Sequence, residues 1–81
     1  MTSLSLKNIS VKTYKKYLEF LGCKCTRKNG GHEIYTKKYL LRPIVVQSHI
    51  TPVPEFIIKN GLKQLGVSRE DFHKWLTNNH Q

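Results

Sequence analysis

The sequence predicts an α+β fold: a three-stranded antiparallel sheet covered by two main helices, with a short extra helix at the C-terminus. Three observations predict it. Apolar residues recur at helical spacing over 11–21 and again over 58–65. Between those stretches lie three short strand-like runs. Glycines and prolines punctuate the joints. Three antiparallel strands leave one face in need of cover, and the helices supply it as a two-layer α-β-β-β-α sandwich.

Residues 1–9 are polar overall and are expected to form a flexible N-terminus. Ser10 reads as an N-cap, Val11, Tyr14, Leu18 and Leu21 as the apolar stripe of the first helix, and Gly22 as its C′ residue. Lys12, Lys15, Lys16 and Glu19 form its outer side. Residues 23–28 read as a strand with Cys23, Cys25 and Arg27 on one face. Asn29-Gly30-Gly31 is a tight turn of residues that accept positive φ.

Residues 32–36 return as a second strand. Its alternation is read with Ile34 inward, Glu33 and Tyr35 outward, and His32 on the Ile34 face at its rim. Residues 37–41 either extend this strand or turn. Pro43 precedes a third strand over 44–47. A loop over 48–53 carries His49. Pro54 then opens a helix with Ile58, Leu62 and Leu65 on one side, and Gly66 ends it. Ser68-Arg69-Glu70-Asp71 resembles a capping box, with Phe72, Trp75 and Leu76 as the stripe of the last helix. One domain over 10–78 follows, with a frayed tail at 79–81. The element order is that of double-stranded RNA-binding domains, although fold alone does not fix function.

The chain has 81 residues and a net charge of +9. The excess is lopsided: residues 1–42 carry ten basic and two acidic side chains, residues 43–81 four and three. A concentrated basic field attracts polyanions, chiefly nucleic acid, and also acidic protein surfaces. Cys23 and Cys25 are too few for a zinc site and too close for an unstrained disulfide, so they read as free thiols in a reducing compartment. No apolar leader or spanning run is present, so a cytoplasmic location and no membrane association are expected. A domain this small has a modest core, which disfavours a large cofactor pocket. No HExxH, CxxC or P-loop pattern occurs. No cofactor and no metal are expected.

Residues 27–35 carry the chemistry. Histidine is the side chain best suited to exchange protons near neutral pH, and His32 stands directly after the glycine turn. In RNA the natural nucleophile is the 2′-hydroxyl beside the phosphate. Removing its proton lets it attack phosphorus without a metal. Gly30 and Gly31 let backbone N–H groups approach a phosphate. Arg27 and Lys28 could bind it and stabilise the charge of the transition state. His49 is a candidate second acid or base, or a phosphate contact near a helix start. Tyr35 and Tyr39 interleave with Lys37 and Lys38, so rings could stack on bases while lysines hold phosphates. His73 and His80 are given exposed positions and no role.

Several of these residues together resemble one family. The helix ending in Leu21-Gly22, the Arg27…Gly30-Gly31-His32…Ile34-Tyr35 stretch, His49 after a strand, and Leu62-Lys63-Gln64-Leu65-Gly66-Val67-Ser68 look like the HicA mRNA interferase toxins. The resemblance covers roughly residues 10–70. It implies a double-stranded-RNA-binding-like fold, cleavage of messenger RNA, growth arrest, and a cognate HicB-type antitoxin as partner. It places the catalytic histidine at His32. Gly31 stands where the family usually has Ser, and Glu33 where a His or an apolar residue is frequent. Two further hypotheses are a non-catalytic RNA-binding module and a basic protein-interaction domain.

Overall fold

The structure is a computed structural model that describes residues 5–78. Its elements are α1 (Val11–Phe20), β1 (Lys24–Asn29), β2 (His32–Thr36), β3 (Ile44–Gln47), α2 (Glu55–Leu65) and α3 (Arg69–Asn78). The strands form one antiparallel sheet in the order β1-β2-β3. The class is α+β, as the periodicities predict.

Helix boundaries follow their caps. The Ser10 hydroxyl accepts from the Thr13 amide at 3.1 Å and closes the first turn of α1. Gly66, at φ 71°, ends α2 in the left-handed conformation. At α3 the Asp71 amide donates to the Ser68 hydroxyl at 3.0 Å, while the Ser68 amide faces the Asp71 carboxylate at 3.5 Å. Aspartate thus completes the reciprocal cap that the sequence suggests.

The core joins Tyr14, Tyr17 and Leu18 of α1, Ile58 and Leu62 of α2 and Phe72 of α3 to Tyr35, Ile44 and Val46 of the sheet. Two expectations are corrected here. Glu33 and Tyr35 face the core, whereas His32 and Ile34 lie on the opposite, open face. Tyr35 pairs with Ile44 and Glu33 with Val46, so a one-residue change of phase decides every side chain of the strand. Along β1 the register shifts between Cys25 and Arg27, which leaves Thr26 as the extra residue of a bulge. Cys25 pairs with buried Tyr35 but Arg27 pairs with Ile34, so the bulge moves Arg27 to the open face. Residues 37–40 make a turn rather than more strand, closed by the Leu40 amide on the Lys37 carbonyl at 3.1 Å.

The segment before α1 is also corrected. Leu6 and Ile9 are buried in the core, and the Val53 amide donates to the Ile9 carbonyl at 2.8 Å. His73, expected to be exposed, is half-buried and bonds the Ser5 carbonyl. The expectations for residues 1–4, the tail at 79–81 and His80 lie outside the described residues.

One contact between α1 and α2 makes a stability prediction. The Tyr14 hydroxyl is buried without a hydrogen-bond partner and rests on Gly61. A Cβ on Gly61 would collide with that hydroxyl but stand 3.4 Å from Tyr14 Cζ, an ordinary contact. Gly61→Ala alone should therefore cost about 1–3 kcal/mol through overpacking, despite the better helix propensity of alanine. Tyr14→Phe should be neutral or stabilising, because it removes an unsatisfied buried hydroxyl. In the Tyr14→Phe background Gly61→Ala should lose most of its cost. A double-mutant cycle in urea measures this coupling.

Candidate active site

The hairpin of β1 and β2 and the end of β3 bring the two sequence-nominated histidines together. His32 opens β2 and pairs across the sheet with Asn29 on one side and Gln47 on the other. His49 follows β3 by two residues. Their ring centroids are 6.5 Å apart and their planes meet at 68°. Both are exposed, at one end of the open face of the sheet.

Gly31 makes this approach possible. A Cβ at Gly31 would stand 2.8 Å from His49 Cε1 and nearer still to Nδ1, so any other residue would turn the imidazole out of this position. The contact is latched beside it: the Ser48 amide and hydroxyl both donate to the Gly31 carbonyl, at 2.7 and 3.1 Å. Gly30 serves differently. It is exposed, at φ 64°, in the left-handed conformation that the turn requires.

The cations divide by face. Arg27 lies on the open face, on the strand next to His32, and its guanidinium makes no ion pair among the described residues. Lys28 pairs with Glu33, on the helix-facing side, and its charge acts on that carboxylate. Lys37 donates to the Leu21 carbonyl at 3.0 Å and so closes the end of α1. Lys38 lies over the Tyr39 ring at 5.4 Å. Lys37 and Lys38 follow the far end of β2, about 13 Å of strand away from His32. Tyr35 is 2% exposed and gives its hydroxyl to Glu33 at 3.1 Å, so it cannot stack on a base as the sequence reading expects. Arg27, Gly30, Gly31, His32 and His49 thus converge, while Lys28, Tyr35, Lys37 and Lys38 do not join them.

Behind the site lies a buried cluster that sequence reasoning missed. Glu33 accepts from Lys15 Nζ of α1, at 3.2 and 3.4 Å, and from Tyr35. Burial alone pushes its carboxyl up. The Lys15 and Tyr35 hydrogen bonds and the Lys15 and Lys28 charges outweigh that and hold it below the usual glutamate value. The arrangement neutralises the only acidic side chain on β2 and points it away from His32.

A lowered folded-state value gives stability that is fully present above the unfolded value, near pH 4.3, and is lost as pH falls through the folded one. Wild type should therefore exceed Glu33→Gln in stability at pH 7, and the gap should narrow toward pH 3. Urea unfolding of both proteins at the two pH values measures it.

Among the described residues, no group of three or more His, Cys, Asp or Glu is placed to hold a metal ion. Cys23 and Cys25 are free thiols. Among the same residues no helix is long and apolar enough to cross a membrane. Gln47 is the further residue that the geometry adds beside the histidines, since its partnership with His32 depends on the register of β2 with β3. No family model, curated protein or solved structure matches the chain.

Proposed function

We propose that this chain is a metal-independent endoribonuclease acting on single-stranded or messenger RNA. The observation that carries the reading is the pair of exposed imidazoles, His32 and His49, 6.5 Å apart on the open face of a strongly basic domain. In-line cleavage of RNA needs a base at the 2′-hydroxyl and an acid at the departing 5′-oxygen. Two imidazoles with a phosphate between them can supply both through hydrogen bonds of about 2.6–3.2 Å.

His32 takes the proton of the 2′-hydroxyl. The 2′-oxygen forms its bond to phosphorus as the bond from phosphorus to the 5′-oxygen breaks. His49 gives its proton to that leaving oxygen. The products are a 2′,3′-cyclic phosphate and a free 5′-hydroxyl. Arg27 and the amides of the glycine turn neutralise charge on the non-bridging oxygens. Glu33, turned to the helices and paired with Lys15, keeps negative charge off the substrate face.

The resemblance to HicA toxins extends the reading. It supports the double-stranded-RNA-binding-like sandwich, a toxin role in the cytoplasm, and an inhibitory HicB-type antitoxin as protein partner. The test is incubation of the purified chain with a single-stranded RNA in excess EDTA, followed by end-group analysis. Cyclic-phosphate and 5′-hydroxyl ends that disappear with a 2′-deoxy substrate bear the reading out. Intact RNA, or cleavage that needs added metal, overturns it.

A further inference from the structure

We propose that a small apolar pocket beside the histidines is a subsite for one nucleobase of the RNA. The pocket measures about 230 Å³ and lies where β3 meets the start of α2. Val45, Gln47, Ile50, Pro54 and Phe56 wall it, with Tyr14 behind. This position and identity of the occupant rest on the ribonuclease reading, but the binding itself does not require cleavage.

Several observations favour a base. Two residues that line the pocket neighbour the histidine pair: Gln47 is the cross-strand partner of His32, and Ile50 directly follows His49. The Ile50 amide donates to the Gln47 carbonyl at 3.1 Å, so one tight turn carries both a catalytic side chain and the pocket wall. The walls are apolar yet uncovered. Phe56 is 64% exposed, Val45 44% and Ile50 37%, and the core does not use them. Such surface is what an aromatic ring seeks when it leaves water.

The size also matters. Pockets for drug-sized ligands run from about 300 to 1,000 Å³, so this one suits a single ring system. The charge of +9 draws a polyanion to the domain, and Arg27 lies open on the sheet face that carries His32. A second copy of the chain would meet the same charge, and is disfavoured.

The polar complement is sparse and specific. The Gln47 side chain is exposed at the rim and is the polar side chain nearest the histidines. A glutamine amide offers a donor and an acceptor side by side, which matches the edge of adenine in two hydrogen bonds. The base next to the scissile phosphate would lay its face on Phe56 and Ile50 and turn its edge to Gln47. Gln47 then becomes the residue that discriminates among bases, and the pocket accounts for a cleavage preference.

The test is an amide-resolved NMR titration of the wild-type chain with each of the four nucleoside 3′-monophosphates, and separately with inorganic phosphate. A 3′-monophosphate has no departing nucleotide, so no cleavage intervenes. Nucleotides should shift the Val45, Ile50 and Phe56 signals, whereas phosphate should shift only those of the glycine turn and the histidines. Adenosine should bind most tightly, and Gln47→Ala should erase that ranking. Phe56→Ala, at an exposed position, should keep the fold and weaken nucleotide binding at least fivefold, the lower end for one stacked base. Identical shifts from phosphate and all four nucleotides overturn the pocket, as does nucleotide binding unchanged in Phe56→Ala. A ranking untouched by Gln47→Ala overturns the assignment of Gln47. Base-dependent shifts in a protein that leaves RNA intact would retain the subsite and reject the ribonuclease.

Discussion

Replacing His32 by alanine should lower RNA cleavage by about 10²–10⁴-fold while leaving RNA affinity within a few-fold of wild type, because the imidazole proposed here as the base would act on protons rather than hold the strand. His49→Ala should fall in the same range. The two rings, 6.5 Å apart, serve one displacement in the proposed mechanism, so their losses should not add. The double variant should be little worse than the poorer single variant. Gly31→Ser supplies a third arm. It introduces the residue usual in the family motif that this turn resembles, but its Cβ must displace the His49 ring. Its rate should fall toward that of His49→Ala, with His32 intact. Full activity in His49→Ala would remove the second imidazole from the mechanism and return it to the role of a loop residue. Single-turnover rates of the variants, alongside RNA binding measured at one fixed salt concentration, decide among these outcomes.

The elements of this fold are legible where a local signal is strong. Ser10, Gly66 and the Ser68–Asp71 pair are chemical caps, and their helices begin or end where those residues say. The face of β2 is not legible in the same way. Ile34 and Tyr35 are adjacent and both apolar, so alternation permits either phase. What decides it is Lys15, eighteen residues away, which makes a buried Glu33 tolerable. The bulge at Thr26 likewise has no glycine to announce it, yet it alone turns Arg27 toward the histidine face. Of the site, His32 and the glycine turn could be read from local pattern. The proximity of His49 could not, since it follows from the register of β2 with β3 across an intervening turn. The role of Gly31 was visible only in part. Freedom of the turn suggested a glycine, but that the His49 imidazole packs where a Cβ would stand could not be read from local pattern.

Leu6→Ala should destabilise the domain by about 2–5 kcal/mol, the range for a buried leucine truncated to alanine. Leu6 is 1% exposed, although it stands in a stretch whose composition suggests a loose end. Small domains have only about 5–15 kcal/mol in hand, so this one substitution would remove a large share. At roughly 4–8 °C per kcal/mol for a chain of this size, melting should fall by about 10 °C or more. Lys7→Ala, next door and exposed, should stay within about 0.5 kcal/mol and serves as the control. The consequence reaches the site through two bonds. The Ile9 carbonyl accepts from Val53, and the Val11 amide donates to the Thr51 hydroxyl at 3.2 Å. Both partners belong to the loop that begins with Ser48 and His49. Loosening residues 5–9 should therefore release that loop before it reaches the sheet. Leu6→Ala, studied well below its melting point, should lose amide protection at Val53 and part of its cleavage rate while binding RNA normally. If it instead melts like Lys7→Ala, the N-terminal segment contributes nothing to the core, and the loop is braced without it by the Ser48–Gly31 latch and the Val11–Thr51 bond.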